Sequence, residues 1–180
     1  MKKRIRLFFA TFFISIPGIV FCQTTVPTQG PPAAAPYPKL VVYTCFFVPI
    51  VSTNSTTTTW NTSANTFSIG FATGINILTS DRFGFSFDVS PVVTTTKGLS
   101  KVNNFIFDPG PIFRFKKGFA IITRMAFETA GRFGESTVFS KVFTPAKKSS
   151  LFLSLGIPIR FGNNLPASIG ATIFFGVAFK

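Results

Sequence analysis

The sequence predicts an all-β protein, an eight-stranded antiparallel up-and-down transmembrane β-barrel. Two observations predict it. Large apolar residues alternate with small ones at period two over runs of about 10 to 13 residues, a spacing no helix would hold. Eight such runs follow one another between residues 40 and 180, and beyond residue 22 every phenylalanine except Phe46, Phe152 and Phe174 falls on an odd number. Agreement within a run reflects a two-faced strand, while agreement across turns also depends on turn length.

Two segments precede the strands. Met1 to Arg6 is basic through Lys2, Lys3, Arg4 and Arg6, and Leu7 to Phe21 is apolar almost throughout. This is the charged region and apolar core of a signal peptide over residues 1–22, cut between Cys22 and Gln23. Fifteen apolar residues fall short of the roughly 20 that a helical anchor needs. A lipid-bearing Cys22 is the other alternative, and the bulky Phe21 before it argues against that. Residues 23–39 are rich in Pro, Ala and Thr and read as an extended spacer, because proline can neither continue a helix nor pair in a central strand.

The expected strands are residues 40–51, 66–78, 82–95, 103–115, 118–129, 133–143, 149–161 and 167–179. One face carries Phe67, Phe71, Phe85, Met125, Leu153 and Ile173, and the other carries Gly, Ala, Ser, Thr and Asn. Soluble sandwiches use strands of about 5 or 6 residues and place more charge on the wet face. Twelve residues at roughly 3.3 Å each, tilted about 40°, span the hydrocarbon of a bilayer. An even strand number permits closure, which apolar surroundings demand because an open edge strands backbone donors and acceptors. Two features interrupt the pattern. In the sixth run Glu135 and Lys141 share the parity of Phe133, Phe139 and Phe143, which implies either a lipid–water boundary or a slipped register. In the fourth, Asp108 has inward parity beside Pro109–Gly110–Pro111, a sequence expected to bend or bulge the strand.

Turns alternate in length. Residues 52–65, with four consecutive threonines before Trp60, form a long first loop on the outer side together with 97–101 and 162–166. Residues 79–81, 116–118 and 145–149 turn at the periplasmic side. Lys39, Lys116, Lys117, Lys147, Lys148 and Lys180 gather at that end, where they would meet anionic lipid head groups.

This pattern resembles the small eight-stranded outer-membrane barrels similar to the transmembrane domain of OmpA and to OmpX, in the Phe-rich form found in Bacteroidota. The likeness covers residues 40–180 and is architectural. It implies export to the cell outer membrane, outer-membrane lipids as surroundings and a barrel-insertion machinery as partner. The insertion signal would be Ile173, Phe175, Val177 and Phe179, with Lys180 departing from the usual terminal aromatic residue.

Composition excludes most chemistry. The chain of 180 residues contains no His, so no imidazole triad, acid–base pair or zinc site can form. Loss of the leader would leave Cys45 as the lone cysteine and a net charge of +9, from 14 Lys+Arg against 5 Asp+Glu. Lys147–Lys148 beside Ser149–Ser150 is too loose for an activated nucleophile, and no cofactor or metal is expected. The basic residues are scattered rather than clustered with accessible aromatics, which disfavours nucleic acid. Asp88, Arg114, Arg124, Glu128 and Arg160 share the inward parity and form the candidate lumen charge network. They would plug the interior with ion pairs or line a narrow anion-favouring pore. Function then divides between a non-enzymatic envelope role with loop presentation, adhesion or partner binding through residues 52–65, that pore, and a soluble secreted lipid-binding barrel.

Overall fold

The computed structural model describes residues 37–145 and 148–179. The proposed signal peptide, nearly all of the spacer, Lys147 and Lys180 lie outside the described residues. The strands are β1 (Lys39–Asn54), β2 (Thr58–Trp60), β3 (Thr66–Leu78), β4 (Phe83–Thr96), β5 (Leu99–Arg114), β6 (Phe119–Glu128), β7 (Arg132–Pro145), β8 (Ser149–Gly162) and β9 (Ser168–Phe179). β2 is a three-residue addition on β1. The other eight strands pair antiparallel in sequence order, and β9 pairs back onto β1 from Val42↔Phe179 to Asn54↔Ser168. The sheet is therefore a closed eight-stranded up-and-down barrel.

Each feature of the sheet has a local cause. β4 and β5 are joined through Lys97 and Gly98 alone, both at positive φ, the type I′ geometry whose twist matches a hairpin. The register of β5 and β6 is the same before and after Pro109–Gly110–Pro111, although the pairs between Phe107↔Phe127 and Ile112↔Ile122 are missing. The prolines have no N–H to donate, so they interrupt the ladder without bulging it. The one-residue shift in β5 lies instead opposite Val92 and Val93. β7 shows no slip against β6, pairing continuously from Phe119↔Lys141 to Phe127↔Phe133. Glu135 and Lys141 thus keep outward parity, and Lys141 Nζ donates to Lys117 O (2.5 Å) at the barrel end.

The expected first loop is more ordered than its composition implies. Asn54 Oδ1 accepts the backbone N–H groups of Thr56 (2.9 Å) and Thr57 (2.8 Å), an Asx turn that reverses the chain into β2. β1 stops pairing with β3 after Phe47↔Gly70, leaving the outer end of β3 without that neighbour. Asn61 fills the gap: its backbone N–H donates to Ile50 O (3.1 Å). Its side-chain amide donates to Ser68 O (2.9 Å) and accepts from Ser68 N (2.8 Å), in the manner of a ladder residue.

The outward face is apolar on every barrel strand. Phe46, Phe71, Phe85, Phe113, Met125, Phe133, Leu153 and Ile173 represent β1, β3, β4, β5, β6, β7, β8 and β9, and all are exposed. Aromatic cross-strand pairs stand near both ends, Phe83–Phe113 and Phe115–Phe119 at one and Phe133–Phe161 at the other. β1 departs from the odd-outward parity, since Tyr43, Cys45 and Phe47 are buried inside while Phe46 points out. Both faces of β1 are apolar, so alternation could not orient it.

Asn61→Ala removes both bonds to the Ser68 backbone. We expect it to lower stability by about 1–3 kcal/mol, measured as an earlier urea midpoint, with the barrel still closed.

Candidate functional site

The interior holds two charge-bearing layers. In the first, Arg124 on β6 donates from Nη1 to Asp88 Oδ2 on β4 (2.6 Å) and from Nη2 to Tyr43 Oη and Ser86 Oγ (2.8 Å each). Tyr43 Oη donates to Asp88 Oδ2 (2.8 Å), and Ser90 Oγ donates to Asp88 Oδ1 (3.2 Å). Both ionised partners are almost wholly buried, at 5% and 2% exposure. Charges removed from water this fully persist only when paired and hydrogen-bonded, and this pair is both.

Two glycines make room for the layer. A Cβ on Gly74 would fall 2.5 Å from Tyr43 Oη and 2.6 Å from Asp88 Cβ. One on Gly110 would fall 2.0 Å from Thr123 O and 2.6 Å from Arg124 Cα, so only glycine lets β5 approach β6 beside the arginine.

The second layer lies toward the end that carries residues 129–131. Arg160 on β8 donates from Nε to Glu128 Oε1 (2.6 Å), from Nη1 to Glu135 O (2.8 Å) and from Nη2 to Ser136 Oγ (3.0 Å). Asn104 Nδ2 donates to Glu128 Oε2 (2.9 Å), tying β5 to the pair. Arg132 extends this layer to the rim by donating from Nη2 to Arg160 O (3.0 Å), Pro166 O (3.1 Å) and Ser168 Oγ (3.1 Å).

The candidate network is thereby divided. Asp88 with Arg124 and Glu128 with Arg160 are brought together as two ion pairs. Arg114 is not among them: it ends β5 at the rim near Lys116 and forms no side-chain hydrogen bond or ion pair among the described residues. Its position follows from strand length, because the charged layers sit far along β5 from its last residue. Asp108 faces Asp88 directly across β4 and β5 and is buried at 8% exposure, with Oδ1 unpartnered.

Sequence parity left out three kinds of lumen residue. Tyr43 and Phe47 lie on β1, whose faces are indistinguishable by hydropathy. Phe152 and Phe174 have the inward parity, and their even numbers were the available signal. Arg132 also has even parity, inside the run interrupted by Gly131 and Gly134. Cys45 is free and buried. Among the described residues, no group of three His, Cys, Asp or Glu side chains could hold a metal ion.

These side chains split the lumen into two cavities that share Arg124, Val138 and Phe174 as their dividing layer. One, about 250 Å³, opens at the end of Lys116–Gly118 and is walled mainly by apolar side chains. The other, about 390 Å³, is lined by Asp108, Glu128, Arg132 and Arg160 among others. Outside the barrel, Lys116, Lys117 and Lys148 are exposed at the first end. Tyr37 packs over the lumen cluster there, and its phenol donates to Asp81. That bond holds the Tyr37 phenol above its ordinary titration range. Ile173 and Phe179 are exposed on β9, with Phe175 and Val177 half-buried between them.

No family model matches the chain, and no curated protein matches it. Solved structures do. A designed transmembrane β-barrel aligns with TM-score 0.50 and 10% identity, over 78% of this chain and 92% of that one. The outer-membrane protein OprG of Pseudomonas aeruginosa aligns with TM-score 0.36 and 8% identity, over 78% of this chain and 94% of that one. At these identities the designed barrel establishes a shared fold, the closed barrel already described.

Arg124→Ala leaves Asp88 buried without its partner, and we expect a loss of about 3–5 kcal/mol. Arg124→Met combined with Asp88→Asn should recover most of it. A double-mutant cycle on urea midpoints measures the coupling.

Proposed function

We propose that the protein is a non-enzymatic outer-membrane barrel that spans the bilayer, serves a structural role in the envelope and does not conduct. One observation carries the membrane reading: exposed large apolar side chains encircle the barrel on all eight strands. A water-soluble monomer tolerates contiguous apolar patches of only a few hundred Å². A continuous belt is stable only against lipid, and the aromatic pairs near its two ends suit the two interfaces. Strands of 10 to 16 residues are long enough to cross when tilted. The same observation counts against a soluble lipid carrier, whose large apolar face would have to line the interior.

In this placement the end bearing Lys116, Lys117 and Lys148 meets the periplasmic leaflet and its anionic head groups. The alternating apolar residues Ile173, Phe175, Val177 and Phe179 form the β9 signal for the insertion machinery. A structural role follows from the interior, where the Arg124–Asp88 ion pair ties β6 to β4 in the layer between the cavities. The anion pore is disfavoured because two of its three arginines, Arg124 and Arg160, are held by carboxylates.

A second reading has its own observation. Trp60 is 56% exposed on the ordered β1–β2 hairpin, a rigid aromatic anchor for an extracellular or envelope protein partner. Deleting residues 55–60 should abolish surface binding and spare insertion.

The deciding experiment is fractionation followed by comparison of unheated and boiled samples on a denaturing gel. A membrane-fraction band whose mobility changes on boiling is expected; recovery in the aqueous fraction would overturn the reading. In planar bilayers the wild-type protein should show no steady conductance, and stepwise anion-selective openings would restore the pore.

A further inference from the structure

We propose that the cavity at the Lys116–Gly118 end is a binding site for a small single-tailed anionic amphiphile, such as a medium-chain carboxylate. It goes beyond the envelope role and rests on the barrel interior rather than on its placement in a membrane.

The cavity wall has two chemistries. Val41, Leu78, Ile112, Ile122, Val142 and Phe152 supply an apolar lining. Small-barrel interiors are ordinarily filled by side chains, yet here about 250 Å³ stays open beneath them. That lies just below the range of about 300–1,000 Å³ typical of drug-sized ligand sites. The site accordingly fits a short chain and excludes a two-tailed phospholipid.

The polar groups are placed for a head group at the mouth. Arg114 lines the cavity at the barrel end, and its guanidinium is engaged by no carboxylate among the described residues. It contrasts with Arg124 and Arg160, each held by an acid. Lys116 and Lys117 lie in the adjoining turn, so the approach is cationic. Two buried polar atoms of cavity-lining residues have no protein partner, Ser150 Oγ and Asn76 Oδ1, and Ser150 is only 3% exposed. A hydroxyl left unbonded in an apolar wall is costly, and a carboxylate held by Arg114 would supply it an acceptor.

The inner end is closed to charge. Tyr43, Asp88 and Arg124 bond one another, while Val138 and Phe174 complete the floor. Head at Arg114 and tail toward Phe174 is the orientation that matches charge to charge and chain to apolar wall.

The test uses the full protein in zwitterionic nanodiscs, with 13C-labelled isoleucine methyls titrated by sodium octanoate. Ile112 and Ile122 line this cavity and Ile106 lines the other, so the readout is internal to the barrel. Saturable shifts at Ile112 and Ile122 with Ile106 unmoved are expected. Arg114→Gln should weaken octanoate about ten-fold and leave octanol unchanged. Ala120→Phe should abolish both by filling the cavity, with the boiling-dependent gel shift confirming that it folds. Equal, non-saturating movement of all three isoleucines, or octanoate affinity indifferent to Arg114→Gln, would overturn the proposal. A chain that never enters nanodiscs would overturn the membrane reading alone, and the same titration then applies in aqueous buffer.

Discussion

Closure of the sheet between β1 and β9 is the constraint on which the rest of the structure depends. A strand edge left open exposes unpaired N–H and C=O groups, for which the apolar surroundings proposed above would offer no partner. Every barrel strand therefore needs two neighbours, and the ladder from Val42↔Phe179 to Asn54↔Ser168 provides the last pair. The ring is imperfect where β1 and β3 diverge. There the chain repairs the gap with β2 and the Asn61 amide instead of leaving Ser68 unbonded.

Closure creates the second problem, an interior whose buried charged side chains need partners within the lumen. The solution is layered. Aromatic side chains from β1, β8 and β9 meet near the two ion pairs, with Phe47 and Phe174 rings 5.1 Å apart and Tyr43 edge-on to Phe152 at 6.2 Å. Their bulk is accommodated opposite glycines, and the polar ends of Tyr43, Arg124 and Arg160 serve the carboxylates of Asp88 and Glu128. Apolar filling and charge pairing are thus one arrangement, since Tyr43 belongs to both. The division of the lumen also explains why its two cavities differ in character: Asp108, Glu128, Arg132 and Arg160 line the one beyond Phe174, while the Lys-rich end retains the aliphatic walls.

Much of this was legible in the sequence, and residue type decides how much. Long runs such as Phe67 to Ile77 and Leu151 to Phe161 state their own secondary structure, because only an extended chain separates large from small residues at period two. Strand number and turn positions followed, and so did the pairing partners Asp88 and Arg124 as fellow members of one face. β1 was different: Val41, Tyr43, Cys45 and Phe47 alternate with Leu40, Val42, Thr44 and Phe46, and hydropathy cannot choose between the two sets.

The sequence by itself determined a two-faced, all-antiparallel chain of eight strands, since alternation and turn spacing are local properties. Only the tertiary structure decided which face of β1 turns inward, that five candidate charges resolve into two separate pairs, and that Arg114 stays outside both. Those outcomes depend on register and on distance across the lumen. Ring closure sets both at once for residues as far apart as Tyr43 and Arg124, and no local pattern carries that information.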